Sequence, residues 1–164
     1  MEETELRRGQ NTLFVLGGGV ITFSLWSVVK SIMYFMVDPA KSFPIDNLPQ
    51  EYRLLALTVI FGIVFLIVGL DVGLRIYVGL SARAEARGKK KSRTYILVAA
   101  VMAAGNLLLF LGSLLAAIFG SHTAPDHVLD TLVSVIVDVT ALITLIELVS
   151  TARNVQRLRK LLSL

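Results

Sequence analysis

The sequence predicts an all-α, polytopic membrane protein with four transmembrane helices in an antiparallel bundle, followed by a short C-terminal amphipathic helix. Of the 164 residues, 55% are hydrophobic, which exceeds what a soluble domain of this size needs for its core. These residues fall into four runs, each long enough for a crossing of about 20 residues. Four crossings use most of the chain, so we expect a single transmembrane domain over residues 1–164 with only tails and short loops outside it.

The four runs cover residues 12–37, 54–80, 95–119 and 128–152. None contains proline, and a continuous helix satisfies its own backbone polar groups in lipid. The tail 153–164 has apolar residues on one helical face and cations on the other, which predicts an interfacial helix. In the first run, Gly17, Gly18 and Gly19 are consecutive, and this predicts a weak point or kink because glycine destabilises a helix interior.

The basic residues predict the orientation of the helices, because Arg and Lys in short connections resist translocation. Of the 16 Lys and Arg residues, 12 lie in the tail 1–11, the loop 81–94 and the tail 153–164. Four crossings place these three segments on one side, so we expect both termini to be cytoplasmic. The expected location is a plasma membrane or a bacterial inner membrane.

The net charge of +4 predicts contact with anionic lipid headgroups rather than nucleic acid, because the cations adjoin the apolar runs. Membrane lipids are therefore expected partners. The candidate headgroup contacts are Lys89, Lys90, Lys91, Arg93, Arg157, Arg159 and Lys160.

Small residues form a stripe along each of the two middle runs, where another backbone could approach closely. We expect these stripes to pack the second helix against the third. They consist of Gly62, Gly69 and Gly73 in the second run and of Gly105, Gly112 and Ala116 in the third.

Five ionisable residues lie inside the predicted helices, where a charge is costly unless it meets a partner or water. Their depths predict an outer pair of Lys30 with Asp138 and an inner group of Asp71, Arg75 and Glu147. One interpretation is structural neutralisation, in which paired charges fix helix register. The other is a proton or cation relay in which the two carboxylates of the fourth helix are protonatable stations.

The directions of these charges predict that the chain does not act alone. Asp138 and Glu147 are nine residues apart and therefore point to opposite sides of the fourth helix. A four-helix bundle offers each helix one interior face, so a second polar face needs another protein surface. We expect a homo-oligomer or a complex with other membrane subunits. Asn106 is expected to form an interhelical hydrogen bond.

Sequence motifs give no support to enzymatic chemistry. The chain has no Cys and contains no Walker loop, HExxH, GxSxG or CxxC motif. His122, Asp126 and His127 are better explained as loop polarity with a helix cap than as a metal site. We therefore expect neither cofactor nor metal, and a non-catalytic subunit of a membrane complex or homo-oligomer. The alternatives are an oligomeric proton- or cation-coupled transporter or channel and, more weakly, a lipid or ligand sensor.

Overall fold

The computed structural model describes residues 2–37, 49–89, 93–119 and 128–162, and in these ranges the only regular elements are four helices. They are α1 (Glu2–Val37), α2 (Gln50–Ala86), α3 (Thr94–Phe119) and α4 (Val128–Leu162). Each contains a segment long and apolar enough to cross a membrane. The all-helical prediction is confirmed, and the four spans indicate a multi-pass membrane protein. The spans are Glu3–Val29, Glu51–Ala86, Thr94–Gly112 and Val135–Leu162.

Three of the helices are longer than the apolar runs that predicted them. The 37 residues of α2 correspond to about 55 Å, well beyond a hydrocarbon layer of about 30 Å. The tail predicted to be helical over 153–164 is helical in its described residues 153–162, but it is not an additional helix, because α4 continues without a break from Val128 to Leu162. Val155 is only 1% exposed and lies against Gly9 of α1, so packing along α1 extends the helix.

The buried core lies where the first half of α1, the second half of α2, the first half of α3 and the second half of α4 meet. α1 packs most extensively on α2 and also on α4, α3 packs on α4, and the α2–α3 seam is the thinnest of these four interfaces. Apolar side chains from all four helices close this interior. Its buried residues include Leu13, Val20, Val78, Ala82, Tyr95, Ala99, Leu145, Leu148 and Ala152.

The closest approach between α1 and α2 is at Gly17 and Gly79. A Cβ atom at Gly17 would lie 2.8 Å from the carbonyl oxygen of Gly79, and one at Gly79 would lie 2.6 Å from the carbonyl oxygen of Gly17. At both positions there is room for the hydrogen atom of glycine and not for a Cβ atom. α1 is helical through its three consecutive glycines, so the first of them serves a helix crossing and does not end a segment.

The C-terminal end of α2 is fixed by a Schellman motif. Gly88 has a φ of 79°, its N–H donates to the carbonyl of Glu85 at 2.9 Å, and the N–H of Lys89 donates to the carbonyl of Ala84 at 3.0 Å. A glycine in this left-handed conformation ends a helix at little steric cost. The motif ends α2 beside the buried core.

Candidate functional site

Glu85 is the one acidic residue among the buried side chains that the structure describes, and it is 0% exposed. Gln156 Nε2 of α4 donates to Glu85 Oε1 at 2.9 Å. Arg159 Nη2, from the next turn of α4, donates to the backbone carbonyl oxygen of Glu85 at 2.6 Å. A buried charge is tolerated only when it is paired or hydrogen-bonded, so α4 supplies what this end of α2 requires.

Two further polar side chains adjoin this cluster. Tyr95, at the start of α3, is fully buried within electrostatic reach of Glu85 and Arg159. Its hydroxyl, the Oε2 atom of Glu85 and the Nε atom of Arg83 form no hydrogen bond with the residues that the structure describes. The guanidinium carbon of Arg83 instead lies 4.4 Å from the ring centroid of Phe14, which is a cation–π contact between α2 and α1. Together these groups join all four helices at one level.

A second polar contact lies in the thin α2–α3 seam. Arg75 Nε donates to Asp71 Oδ2 at 2.9 Å within α2, and Arg75 Nη2 lies 3.5 Å from Asn106 Oδ1 of α3. Arg75 is 9% exposed, so this charge is shielded from the surroundings of the helices. The expected interhelical hydrogen bond of Asn106 is thus present, with Arg75 as its donor.

The other predicted intramembrane charges are placed differently. Glu147 is exposed on α4, and Arg75 makes its described contacts to Asp71 and Asn106, so the expected inner group of three does not form within one chain. Asp138 is also exposed and has an interaction with another group. The side chain of Lys30 lies outside the described part of α1, and its pairing with Asp138 stays a prediction.

The glycine stripes do not pack α2 against α3 as expected. A Cβ atom built at Gly62, Gly69 or Gly73, or at Gly105 or Gly112, meets no atom of the described residues within 4 Å. These glycines are exposed. The α2–α3 interface forms instead around Arg75 and the core end. The side chain of Ala116 lies outside the described residues.

α4 has an exposed stripe that faces away from the core. Its residues recur at alternating intervals of four and three, the spacing of a coiled-coil seam, while the buried Leu145 and Leu148 lie on the opposite side. Four of the six side chains are polar although the stripe lies within a candidate membrane span. The stripe comprises Ile136, Thr140, Ile143, Glu147, Ser150 and Asn154.

The predicted headgroup contacts divide into separate groups. An open groove between α3 and α4 is lined by Arg93, Arg153, Arg157 and Lys160, of which Arg153 is an addition to the prediction. Arg159 lies outside this groove and binds the carbonyl of Glu85. Lys89 is exposed at the end of α2. Lys90 and Lys91 lie outside the described residues.

Sequence reasoning missed Glu85, Tyr95, Gln156 and Gly79. Glu85 stands among cations in a segment that composition assigns to a solvated loop, so nothing in the local pattern indicates burial. A signal was present for the end of α2, since glycine after an Ala- and Arg-containing stretch is typical of a helix C-terminus. Recognising Gly88 as that terminus would have extended α2 past the predicted residue 80 and made Glu85 helical.

Among the residues described, no group of three or more His, Cys, Asp or Glu side chains is arranged to hold a metal ion. His122, Asp126 and His127 fall outside the described ranges. No known protein family, curated protein or solved structure matches this chain.

Proposed function

We propose that this protein is a non-catalytic integral membrane subunit that assembles with further copies of itself, with both termini in the cytoplasm. The observation that carries the proposal is the exposed carboxylate of Glu147 within the candidate span Val135–Leu162. Exposure of a carboxyl group to hydrocarbon costs several kcal/mol of free energy, and contact with a protein surface lowers this cost. A partner surface on α4 removes this cost.

The shape of the α4 stripe supports a helix as the partner. β-Branched Ile136 and Ile143 alternate with the small or polar Thr140, Glu147 and Ser150 at coiled-coil spacing. In lipid, helices associate through close van der Waals packing and interhelical hydrogen bonds, and both kinds of group are present here. Thr140 Oγ1 donates to the carbonyl of Ile136 at 2.7 Å, which leaves its oxygen lone pairs facing outward as acceptors.

The glycines of α2 offer the complementary surface on a second copy. Gly62, Gly69 and Gly73 are exposed, and nothing described in their own chain fills the space beside them. In this arrangement the α4 stripe of one copy packs into the α2 glycine groove of the next, and α2 of that copy covers Glu147. Such a head-to-tail interface builds a closed ring when the rotation between copies closes.

Cysteine crosslinking tests this arrangement, because the chain has no cysteine of its own. Chains with Ile143→Cys and chains with Gly69→Cys, carrying different tags, are co-expressed and oxidised in membranes. We expect a disulfide-linked heterodimer from this pair and none when Gly69→Cys is replaced by Ala82→Cys in the buried core. A protein that is monomeric in nanodiscs and gives no crosslink would disprove self-assembly, and co-purification from mild detergent would then identify a different membrane subunit as the partner.

The second candidate function is an oligomeric proton- or cation-coupled transporter or channel. The observation that favours it is the polar seam of Asp71, Arg75 and Asn106 within candidate spans. Flux measured in proteoliposomes with Asp138→Asn and Glu147→Gln tests this function. Loss of flux with an intact oligomer supports transport, whereas absence of flux in the wild type supports the non-catalytic subunit.

A further inference from the structure

A groove with four cations lies between the start of α3 and the end of α4. Its volume is about 530 Å³, and Arg93, Arg153, Arg157 and Lys160 line it together with Gln156. No Asp or Glu is among its lining residues. Its remaining surface is apolar and is formed by Ile96, Leu97 and Ala100 of α3.

The arrangement of two arginines in the groove is electrostatically unfavourable. Arg153 and Arg157 are four residues apart and share one face of α4, where like charges repel. Lys160, three residues later on the same face, already interacts with another group. Arg93 adds a fourth positive charge from the other wall. An anionic ligand would neutralise this repulsion. Guanidinium groups match pairs of phosphate oxygens with two parallel hydrogen bonds, which favours phosphate over a single carboxylate.

The α4 wall of the groove is anchored to the core. Gln156 lines the groove and also donates to the buried carboxylate of Glu85, and Arg159 one turn later holds the carbonyl of the same residue. The backbone that carries Arg153, Arg157 and Lys160 is therefore positioned before a ligand arrives. A preorganised site loses less conformational entropy on binding than a mobile basic tail does.

The apolar surface of the groove favours a lipid over a soluble phosphate compound. Leu97 is 66% exposed and Val101, one turn further along α3, is 63% exposed, and both lie within the candidate span Thr94–Gly112. An acyl chain would cover them while the phosphates meet the cations. Basic pockets between transmembrane helices bind lipid headgroups of high negative charge.

We propose that this groove binds the headgroup of an anionic phospholipid with two phosphate groups. The phosphates bind Arg153 and Arg157, and the acyl chains pack against Leu97 and Val101. This is a discrete site for one lipid molecule, distinct from the diffuse attraction of basic loops to a membrane. It is independent of assembly between copies, because all its lining residues belong to one chain.

Native mass spectrometry of the full chain in neutral detergent, with cardiolipin as the probe, tests the site. We expect the double variant Arg153→Gln, Arg157→Gln to bind cardiolipin about 30-fold more weakly than the wild type. The matched control Arg7→Gln, Arg8→Gln removes the same charge from exposed positions of α1 that do not line the groove. Its affinity should change by less than about threefold, because salt screens exposed charges.

A third variant separates lipid from soluble phosphate. Leu97→Gln should weaken cardiolipin binding and leave pyrophosphate binding unchanged. The proposal would be overturned if the two double variants weakened cardiolipin binding equally, or if the wild type bound phosphatidylcholine as tightly as cardiolipin. Displacement of cardiolipin by an equal concentration of pyrophosphate would also overturn it. Circular dichroism and thermal unfolding in the same detergent establish that each variant is folded. The variant Arg153→Lys, Arg157→Lys keeps both positive charges and tests whether charge alone is sufficient for binding.

Discussion

Gln156 Nε2 donates a 2.9 Å hydrogen bond to Glu85 Oε1, and through it a residue of α4 pairs with one oxygen of a fully buried carboxylate of α2. The two residues are 71 positions apart in the chain. The end of α2 is therefore held by long-range contacts to α4 as well as by its local Schellman motif.

Glu85→Ala is expected to lower the free energy of unfolding by about 2–3 kcal/mol, because it opens a cavity in the core and leaves the part-buried amide of Gln156 without its acceptor. Glu85→Gln should cost less, since it retains a carbonyl acceptor. Thermal and denaturant unfolding in detergent, followed by circular dichroism, measures both changes. Glu51→Ala, at an exposed position of α2, is the control, and an equal loss of stability in that variant would contradict the role of burial.

Gly79→Ala should destabilise the α1–α2 crossing by about 2 kcal/mol, because overpacking outweighs the higher helix propensity of alanine. The new methyl group would meet the Gly17 carbonyl and the side chain of Ile21, both 2.6 Å from the Cβ position. Gly73→Ala is the matched control on the same helix, where no described atom lies within 4 Å.

Under the assembly proposal, Gly73→Ala does not lower the stability of the single chain, which the helix propensity of alanine slightly raises, and it weakens the association of copies. Size-exclusion chromatography with light scattering reports association, and unfolding in detergent reports the fold. If Gly79→Ala and Gly73→Ala affect the two readouts alike, the distinction between the inner and outer glycine faces of α2 is wrong.

Gly88→Ala is expected to reduce stability by about 1 kcal/mol, because an L-residue is disfavoured at a φ of 79°. Gly88→Asn should cost less, since asparagine tolerates the left-handed conformation better. The same unfolding measurement compares these two variants with Lys89→Ala, which changes the next residue but retains its backbone hydrogen bond. A neutral Gly88→Ala would show that the Schellman motif contributes nothing to the stability of this end.

Arg75→Met should lower the free energy of unfolding by about 1 kcal/mol, because it leaves the carboxylate of Asp71, which is 35% exposed, without its cation. Asn106→Leu should cost less than about 1 kcal/mol, since its contact to Arg75 is long at 3.5 Å and the change adds apolar surface. Double substitution to Asp71→Asn, Arg75→Met should recover part of the loss. Absence of recovery would indicate that Arg75 stabilises the α2–α3 seam by packing alone.

The helical architecture could be predicted because each candidate membrane-spanning helix is specified by local composition. The run 95–119 and α3 (Thr94–Phe119) nearly coincide, since Arg93 and the following apolar residues mark the start. The ends of α1, α2 and α4 could not be placed in this way. Polar residues such as Glu85 and Gln156 continue a helix when they pair inside the protein, and composition alone assigns them to loops.

The candidate sites also divide into features set by local sequence, which could be predicted, and features set by tertiary contacts, which could not. The sequence predicted the groove residues Arg93, Arg157 and Lys160 as headgroup contacts, because cations beside an apolar run usually lie at the membrane surface. The contact between Gly17 and Gly79 could not be predicted, because many glycines share helical spacing and only the tertiary structure shows which of them are in contact. The stripe of Gly62, Gly69 and Gly73 has the more regular pattern, yet within the described residues of its own chain it contacts nothing.

The bond from Arg159 to the carbonyl of Glu85 has a consequence for biosynthesis. α2 is translated well before α4, so Glu85 is made before the side chains that will cover it. Until the final turns of α4 follow, water must hydrate its carboxylate in their place. Closure of the interior therefore waits for the last helix, and a chain that stops before residue 156 would leave this end of α2 open to water.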